Sequence, residues 1–270
     1  MSGRVAGQTA WISGAASGIG EAAARLLAAE GANVVLADVQ ADAGRKIAKE
    51  ISACGGQATF LSCDVTQESQ VRDTLAETVA LYGGLQIVVN CAAIVHVKLL
   101  HEYSEAEWDR LMAVNVRSIF FSIRHAYEYL RRNSQSYFVN IGSISSFVAQ
   151  GRTPAYTTSK GAVLSLTQSI ALDYAADGIR CNCVCPGITD TPLLRHHLNA
   201  SGDPAGTLAG RLKRVPLGRA LTPHDIARSV LYFSCEDSAG VTGTSLVIDG
   251  GYLTAAEWES KNVTLPDDLQ

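Results

Sequence analysis

The chain is poor in the features that would take it to a membrane or to nucleic acid. No apolar run approaches the roughly 20 residues that a bilayer span needs, and the N-terminus has no basic segment leading into an apolar one. Positive charge is not in excess: 22 Lys and Arg stand against 26 Asp and Glu, for a net charge of -4 and a pI near 5.9. With neither a basic stripe nor an aromatic platform, the chain has no means of recruiting phosphate backbones or anionic lipid. Nucleic acid and membrane are excluded as partners, and the chain reads as cytoplasmic. Seven cysteines occur, an odd number with no CxxC pair, which argues against a disulfide framework and for a reducing compartment. Cys181, Cys183 and Cys185 alternate, so a strand would place all three on one face. No His or acidic residue is spaced to complete a metal site with them. They read as small buried apolar residues, and no metal is expected. Internal repeats and low-complexity tracts are also lacking.

What is present is a large apolar fraction. Of 270 residues, 47% are apolar and 18% charged, enough to bury a sizeable core in a length that one domain can still fill. Apolar, β-rich runs at 9–13, 33–37, 58–62, 85–90, 137–142, 180–185 and 245–248 alternate with helix-period stretches at about 18–30, 41–53, 67–82, 105–132, 155–176 and 223–236. This alternation predicts an α/β fold: one doubly wound, Rossmann-type parallel sheet of about seven strands with helices on both faces. Residues 1–252 form the expected domain. The interval 187–222, with Gly, Pro, two adjacent His and several Arg, breaks the rhythm and reads as an irregular substrate lid. The rest, 253–270, is expected to be a polar, acidic tail, in which Trp258 points to partial docking.

The first strand runs into Ser13-Gly14-Ala15-Ala16-Ser17-Gly18-Ile19-Gly20, which opens an Ala-rich helix. Glycines in such a turn let the backbone approach a pyrophosphate that the helix N-terminus stabilises. The second strand ends at Asp38, where a carboxylate accepts hydrogen bonds from an adenosine ribose and repels a 2′-phosphate. Neither Ser17 nor Val39-Gln40 supplies a guanidinium to welcome that phosphate, so NAD is the expected cofactor. Asp64-Val65 after the third strand and Asn90-Cys91-Ala92-Ala93 after the fourth lie at strand ends that can touch it.

Removing a hydride from an alcohol also requires a base for its proton and a donor for its oxygen. Tyr156 and Lys160, four apart on a helix, face the same way. A neighbouring ammonium and an oxidised nicotinamide would both lower the phenol pKa, making Tyr156 a usable base. Ser143, just past the fifth strand, is placed to hold the substrate oxygen, and Asn115 to anchor a water that relays the proton from Lys160.

Taken together, Ser13-Gly14-x3-Gly18-x-Gly20, Asn90-Cys91-Ala92-Ala93, Asn115, Ser143, Tyr156-x3-Lys160 and Pro186-Gly187 resemble the short-chain dehydrogenase/reductase family over about residues 8–252. The resemblance implies Tyr156 as acid/base, Lys160 as ribose binder and pKa depressor, Ser143 as oxygen donor and Asn115 as relay anchor. It also implies nicotinamide contacts from Pro186, Gly187, Ile188 and Thr191, and commonly a homotetramer. The pattern departs at Ser13, where Thr is common, and at Cys91 and Ala93, which replace Asn and Gly. Ala93 narrows the space beside the nicotinamide.

For the substrate, the run from Gly178 to Gly187, with Asp190-Thr191-Pro192 and Leu212-Lys213-Arg214, is similar to a branch with cytosolic hydroxybutyrate and keto-deoxy sugar acid dehydrogenases. That likeness implies a small hydroxy acid or sugar acid, with Arg152, His197 and Arg214 as carboxylate clamps and His96, Ser145 and Gln150 completing the wall. His197 in place of an Arg would make the grip pH-dependent. The competing readings are a neutral sugar, polyol or sterol-like alcohol, bordered by Ile94, Val95, Phe147 and Val148, and a non-catalytic NAD-binding regulator.

Overall fold

The computed structural model describes residues 3–255, 259 and 262–269. Along the chain run β1 (Thr9–Ser13), α1 (Gly18–Ala29), β2 (Asn33–Asp38), α2 (Ala41–Ala53), β3 (Gln57–Ser62), α3 (Glu68–Tyr82), β4 (Ile87–Asn90), α4 (Glu105–Met112), α5 (Ser118–Leu130), β5 (Ser136–Ile141), α6 (Pro154–Tyr174), β6 (Ile179–Pro186), α7 (Pro192–Asn199), α8 (Pro204–Leu212), α9 (Pro223–Phe233) and β7 (Ser245–Ile248). The strands form one parallel sheet in the order β3-β2-β1-β4-β5-β6-β7. Strand order reverses between β1 and β4, so the carboxyl ends of these two strands open a crevice there.

Alternation along each strand divides the apolar residues between two cores. Ala10, Ile12, Val34, Leu36 and Val184 face the layer of α1, α2 and α9, where Leu27, Ile47 and Val230 meet them. Trp11, Val35, Val88 and Phe138 face the layer of α3, α5 and α6. Cys181, Cys183 and Cys185 do share a face, in this second core. All three are fully buried free thiols, with the Cys183 and Cys185 sulfurs 3.6 Å apart.

Two features differ from the sequence reading and a third gives it detail. The stretch 105–132 is not one helix, because a π-helical turn, Ala113–Arg117, separates α4 from α5. The interval 187–222 is not irregular: it carries α7 and α8, each with Pro in its first turn and a side-chain cap, Thr191 to Leu194 N and Asp203 to Gly206 N. These helices enclose a third, small core of Ile188, Leu198, Leu208, Leu212 and Val215. Finally, the described tail residues dock on this lid. Val263 and Leu265 pack against its core, Thr264 pairs with Arg219, and Asp268 forms an ion pair with Arg195. Trp258 lies outside the described residues.

Candidate active site

The Gly-rich turn sits at the crevice. Gly14 and Gly18 adopt positive φ, +66° and +56°. A side chain on Gly14 would strike the Ala92 backbone at 2.7 Å, and one on Gly20 would strike the Gly14 carbonyl at 2.1 Å. Glycine is therefore required both for the turn and for the close approach of β1 to the segment after β4. Ser17 caps α1 in position only, with no side-chain bond to the first-turn amides. Those N–H groups stay available to an anion. Asp38, buried at the end of β2, accepts from Ala16 N at 3.0 Å and Gln40 N at 2.9 Å, which fixes its carboxylate across the turn.

A groove lined by Gly14, Ser17, Gly18, Ile19, Gly20, Asp38, Asp64, Val65 and Ala92 runs along these strand ends. Arg110, from α4, also lines it; an exposed position in a charged helical stretch marked it in no way in the sequence. Through Ile19, Cys91, Ala93, Thr191 and Leu193 the groove continues into a second cavity. The two together offer a dinucleotide a glycine cradle, an open helix terminus and a carboxylate at the ribose end, and so fit it.

Ser143, Tyr156 and Lys160 line this second cavity, beside Pro186, Gly187, Ile188 and Thr191. Pro154 starts α6 two residues before Tyr156, so the first turn of that helix aims Tyr156 and Lys160 at the ends of β5 and β6. The Lys160 ammonium is almost fully buried, donates to the Ile141 carbonyl at 2.6 Å and lies 5.5 Å from the centre of the Tyr156 ring. Without a charged ligand, burial dominates both titrations. The Tyr156 phenol is pushed up to about 12, against a lowering bond from the Ser143 hydroxyl, and Lys160 is pushed down to about 8. The expected depression of the phenol by Lys160 is not seen: burial sets the shift, and Ser143 is the group that lowers it.

Asn115 sits in the π-helical turn, a feature frequent at functional sites. Its amide donates to the Ile94 carbonyl and to Ser159 Oγ, both at 3.0 Å, while its oxygen accepts from Ile94 N at 2.9 Å. Both amide donors being engaged, the side chain first of all braces the segment after β4 against α6.

Several other sequence-predicted residues fall outside the cavities. Ser13 Oγ accepts from Ala92 N at 3.4 Å, and Asn90 is bonded between Asn140 and Ser122; both are braces beneath the groove. Ser145 is buried and bonds through its amide to Ser143 Oγ. His96 lines neither cavity, and its carbonyl accepts from the Tyr103 hydroxyl. Arg152 has a φ of +59° and an exposed side chain 3.9 Å from Glu102, and it does not line the cavity. Arg214 is exposed and stacks over Tyr252 at 5.3 Å. Neither arginine is brought to the site.

The guanidinium that does line the cavity is Arg211, on the last turn of α8, with Gln150 and His197. Arg211 Nη2 donates to His197 Nε2 at 2.7 Å. The Gln150 carbonyl oxygen, turned towards the guanidinium, accepts from Nη2 at 3.1 Å and Nη1 at 3.2 Å. Burial and the adjacent Arg211 charge push His197 down to about 4, so it is neutral near pH 7 and does not make the site pH-dependent there, contrary to expectation. Arg211 gave no signal of its own in the sequence; only the packing of α8 separates it from Arg214.

A cofactor groove that meets a buried Ser, Tyr and Lys at the carboxyl edge of a parallel sheet defines an oxidoreductase acting on CH–OH groups. Comparison with known proteins agrees. The family model described as enoyl-(acyl carrier protein) reductase matches residues 14–253. The chain is 36% identical to cis-4-hydroxycyclohexanecarboxylate dehydrogenase of Sinomonas cyclohexanicum, over 91% of this chain and 96% of the relative. It is equally 36% identical to cyclopentanol dehydrogenase of a Comamonas species, over 93% and 98%. A crystal structure of gluconate 5-dehydrogenase from Burkholderia cenocepacia J2315, in complex with NADP and tartrate, is similar with a TM-score of 0.87 and 30% identity, covering 94% of this chain and 98% of that one. The chain belongs to the short-chain dehydrogenase/reductase family, uses a nicotinamide cofactor and oxidises secondary alcohols.

Proposed function

We propose that the protein is an NAD-dependent dehydrogenase of a small secondary alcohol that carries a carboxylate. The observation behind this reading is the continuity of one cleft, from the buried Asp38 at one end to Ser143, Tyr156 and Lys160 at the other. Asp38 supports NAD: its fixed carboxylate would repel a 2′-phosphate, and the residues after it, Val39 and Gln40, carry no charge. The bound nicotinamide supplies the hydride acceptor. Tyr156 Oη takes the hydroxyl proton, and the Ser143 hydroxyl donates to the oxygen as negative charge develops. Lys160 favours the phenolate once a second positive charge offsets the desolvation of the phenol. Asn115 holds the segment after β4 in place, and a relay water on it would carry the proton from Lys160 to solvent.

The acid reading draws on the polar side of the cavity formed by Gln150 and His197. It also draws on the carboxylate-bearing substrate named for the Sinomonas relative and the tartrate named for the Burkholderia structure. A neutral cyclic alcohol is the second reading, favoured by the apolar wall of Val95, Ile141, Leu193 and Leu194. A cytoplasmic homotetramer is also proposed, because Phe120 on α5 and Leu172 on α6 are left 45% and 82% exposed in a single chain. Residues 1–252, with the lid at 187–222, would form the catalytic unit and 253–270 an appended tail.

The test is initial-rate measurement with NAD and NADP over hydroxy acids, sugar acids, aldoses, polyols and cyclic alcohols. A kcat/KM at least about tenfold higher with NAD is expected, with acids ahead of neutral alcohols of the same size. Equal use of both cofactors would sink the NAD assignment, and a panel led by neutral alcohols would move the substrate to the second reading.

A further inference from the structure

Every cation of the lid but one either has a carboxylate or lies at the surface. Arg195 is held by Asp190 and Asp268, Lys213 by Glu259, Arg219 by Asp225, and Arg214 is exposed over Tyr252. Arg211 is different. It is half-buried and lines the catalytic cavity, and no carboxylate among the described residues pairs with it. Its partners, His197 Nε2 and the Gln150 carbonyl, are neutral. Burial accordingly pulls the guanidinium below its ordinary pKa, the mark of a charge that has lost water without gaining a counterion.

The cavity itself is one-sided in charge. Lys160 and Arg211 line it, and no Asp or Glu among the described residues does. A partly dry cleft with two cations and no anion strengthens attraction to a negative ligand. The three bonds to His197 and Gln150 also fix the guanidinium plane and leave Nε–H and one Nη1–H, on opposite edges, free for a ligand. Either can give a carboxylate a single charge-assisted bond.

We infer that Arg211 is the residue that reads the carboxylate of the substrate, with His197 and Gln150 as positioning residues that hold its guanidinium over the catalytic cavity. The inference rests on the hydroxy-acid reading and specifies it: the substrate's hydroxyl would meet Tyr156 and Ser143 from the sheet while its carboxylate meets α8 of the lid. Acid recognition would then come from the part of the lid that closes over the site, so that a substrate anion also helps to hold α8 in place.

The experiment compares wild type with Arg211→Gln, Arg211→Lys and Arg214→Gln, using a set of four- to six-carbon 3-hydroxy acids and their primary amides at saturating NAD. In Arg211→Gln the ratio of kcat/KM for acid over amide should fall at least about tenfold, chiefly through KM, as expected on losing a charge-assisted contact. In Arg211→Lys, which keeps the charge and loses the guanidinium plane held by His197 and Gln150, the fall should be smaller. Arg214→Gln should leave the ratio within about twofold of wild type. An unchanged ratio in Arg211→Gln, or an equal fall in Arg214→Gln, overturns the inference. If Arg211→Gln does not fold, Arg211→Met, neutral and of similar length, takes its place, and a ratio equal to wild type in it overturns the inference.

Failure of the substrate reading is separately visible. If wild type oxidises neutral alcohols and no hydroxy acid, succinate is the probe, tested for competition against cyclopentanol and for thermal stabilisation. Succinate effects that vanish in Arg211→Gln uphold the carboxylate site although the substrate reading falls; no succinate effect on wild type overturns both.

Discussion

The sheet and the lid are held by cores of very different size, and in the proposed function chemistry falls to the first and recognition to the second. Tyr156, Lys160 and Ser143 hang from the ends of β5, β6 and α6, elements whose residues sit in two continuous cores shared by the whole sheet. His197 and Arg211 stand on two short helices around a core of five buried side chains. The lid is tied down at its edge by Arg195, which bridges the partly buried Asp190 and the exposed Asp268. Groups that must meet a reacting atom gain from a frame that does not yield. Groups that must admit and release a substrate gain from an element of low local stability.

Buried Arg180 and half-buried Arg211 make the same contrast. Arg180, on β6, is enclosed by the carbonyls of Cys235, Ser238 and Val241 and stacks on Tyr137 at 4.7 Å. Its Nη1 and Nη2 are bonded within the fold, and its Nε is buried without a partner among the described residues. Arg211 keeps two of its own for a ligand.

If the division holds, damage to the sheet side should remove rate or fold, and damage to the lid should change mainly affinity. The largest effect is expected for Tyr156→Phe. It should lower kcat by about 10²–10⁴-fold while the protein melts as the wild type does and still binds NAD by fluorescence titration; retained turnover would remove Tyr156 from the chemistry. The same residue sets the pH dependence. With its phenol at about 12 in the free protein, the phenolate fraction grows as pH rises. Alcohol oxidation should therefore climb between pH 7 and 10, while ketone reduction, which needs the protonated phenol, should not climb with it. Paired rate profiles check this.

Next come two core truncations. Leu27→Ala removes a fully buried side chain between α1 and the sheet and should cost about 2–5 kcal/mol in chemical denaturation. Leu208→Ala, in the lid core, should raise KM and lower global stability less. Equal losses of global stability would show that the lid unfolds only together with the sheet. A smaller effect is expected from Asp38→Ala, which should narrow the NAD preference by about tenfold in relative kcat/KM without altering acid selectivity. Smallest of all, Asp268→Asn should leave the melting temperature nearly unchanged and speed amide exchange in the described tail residues. The Arg195 guanidinium holds the Asp268 carboxyl below its usual range, so the stabilisation it confers is present above the unfolded carboxyl pKa and lost as pH falls through the lower folded one.

The extent to which the sequence predicted these features follows the range of the forces involved. Each strand was visible as a short apolar run, because burial on both faces leaves a local trace in Val, Ile and Ala. The nucleotide groove was visible through its glycines, since positive φ and backbone contact admit little else. The π-helical turn was hidden: 105–132 has the period of one helix, and Asn115 widens it only by bonding Ile94 and Ser159 from other segments. The helices of the lid carried readable caps, Thr191-Pro192 and Asp203-Pro204, which the surrounding Gly and His obscured.

By itself the sequence determined the α/β architecture, the glycine turn at the sheet crevice and the grouping of Ser143, Tyr156 and Lys160 at one cavity, because these depend on periodicity, on glycine's freedom and on short spacings that a strand end or one helix preserves. The tertiary structure alone decided which of the lid's arginines faces the chemistry. Arg211 and Arg214 are three residues apart and chemically identical. Only the packing of Leu208 and Leu212 into the lid core sets the rotation of α8, turning Arg211 to the catalytic cavity and leaving Arg214 outside on Tyr252.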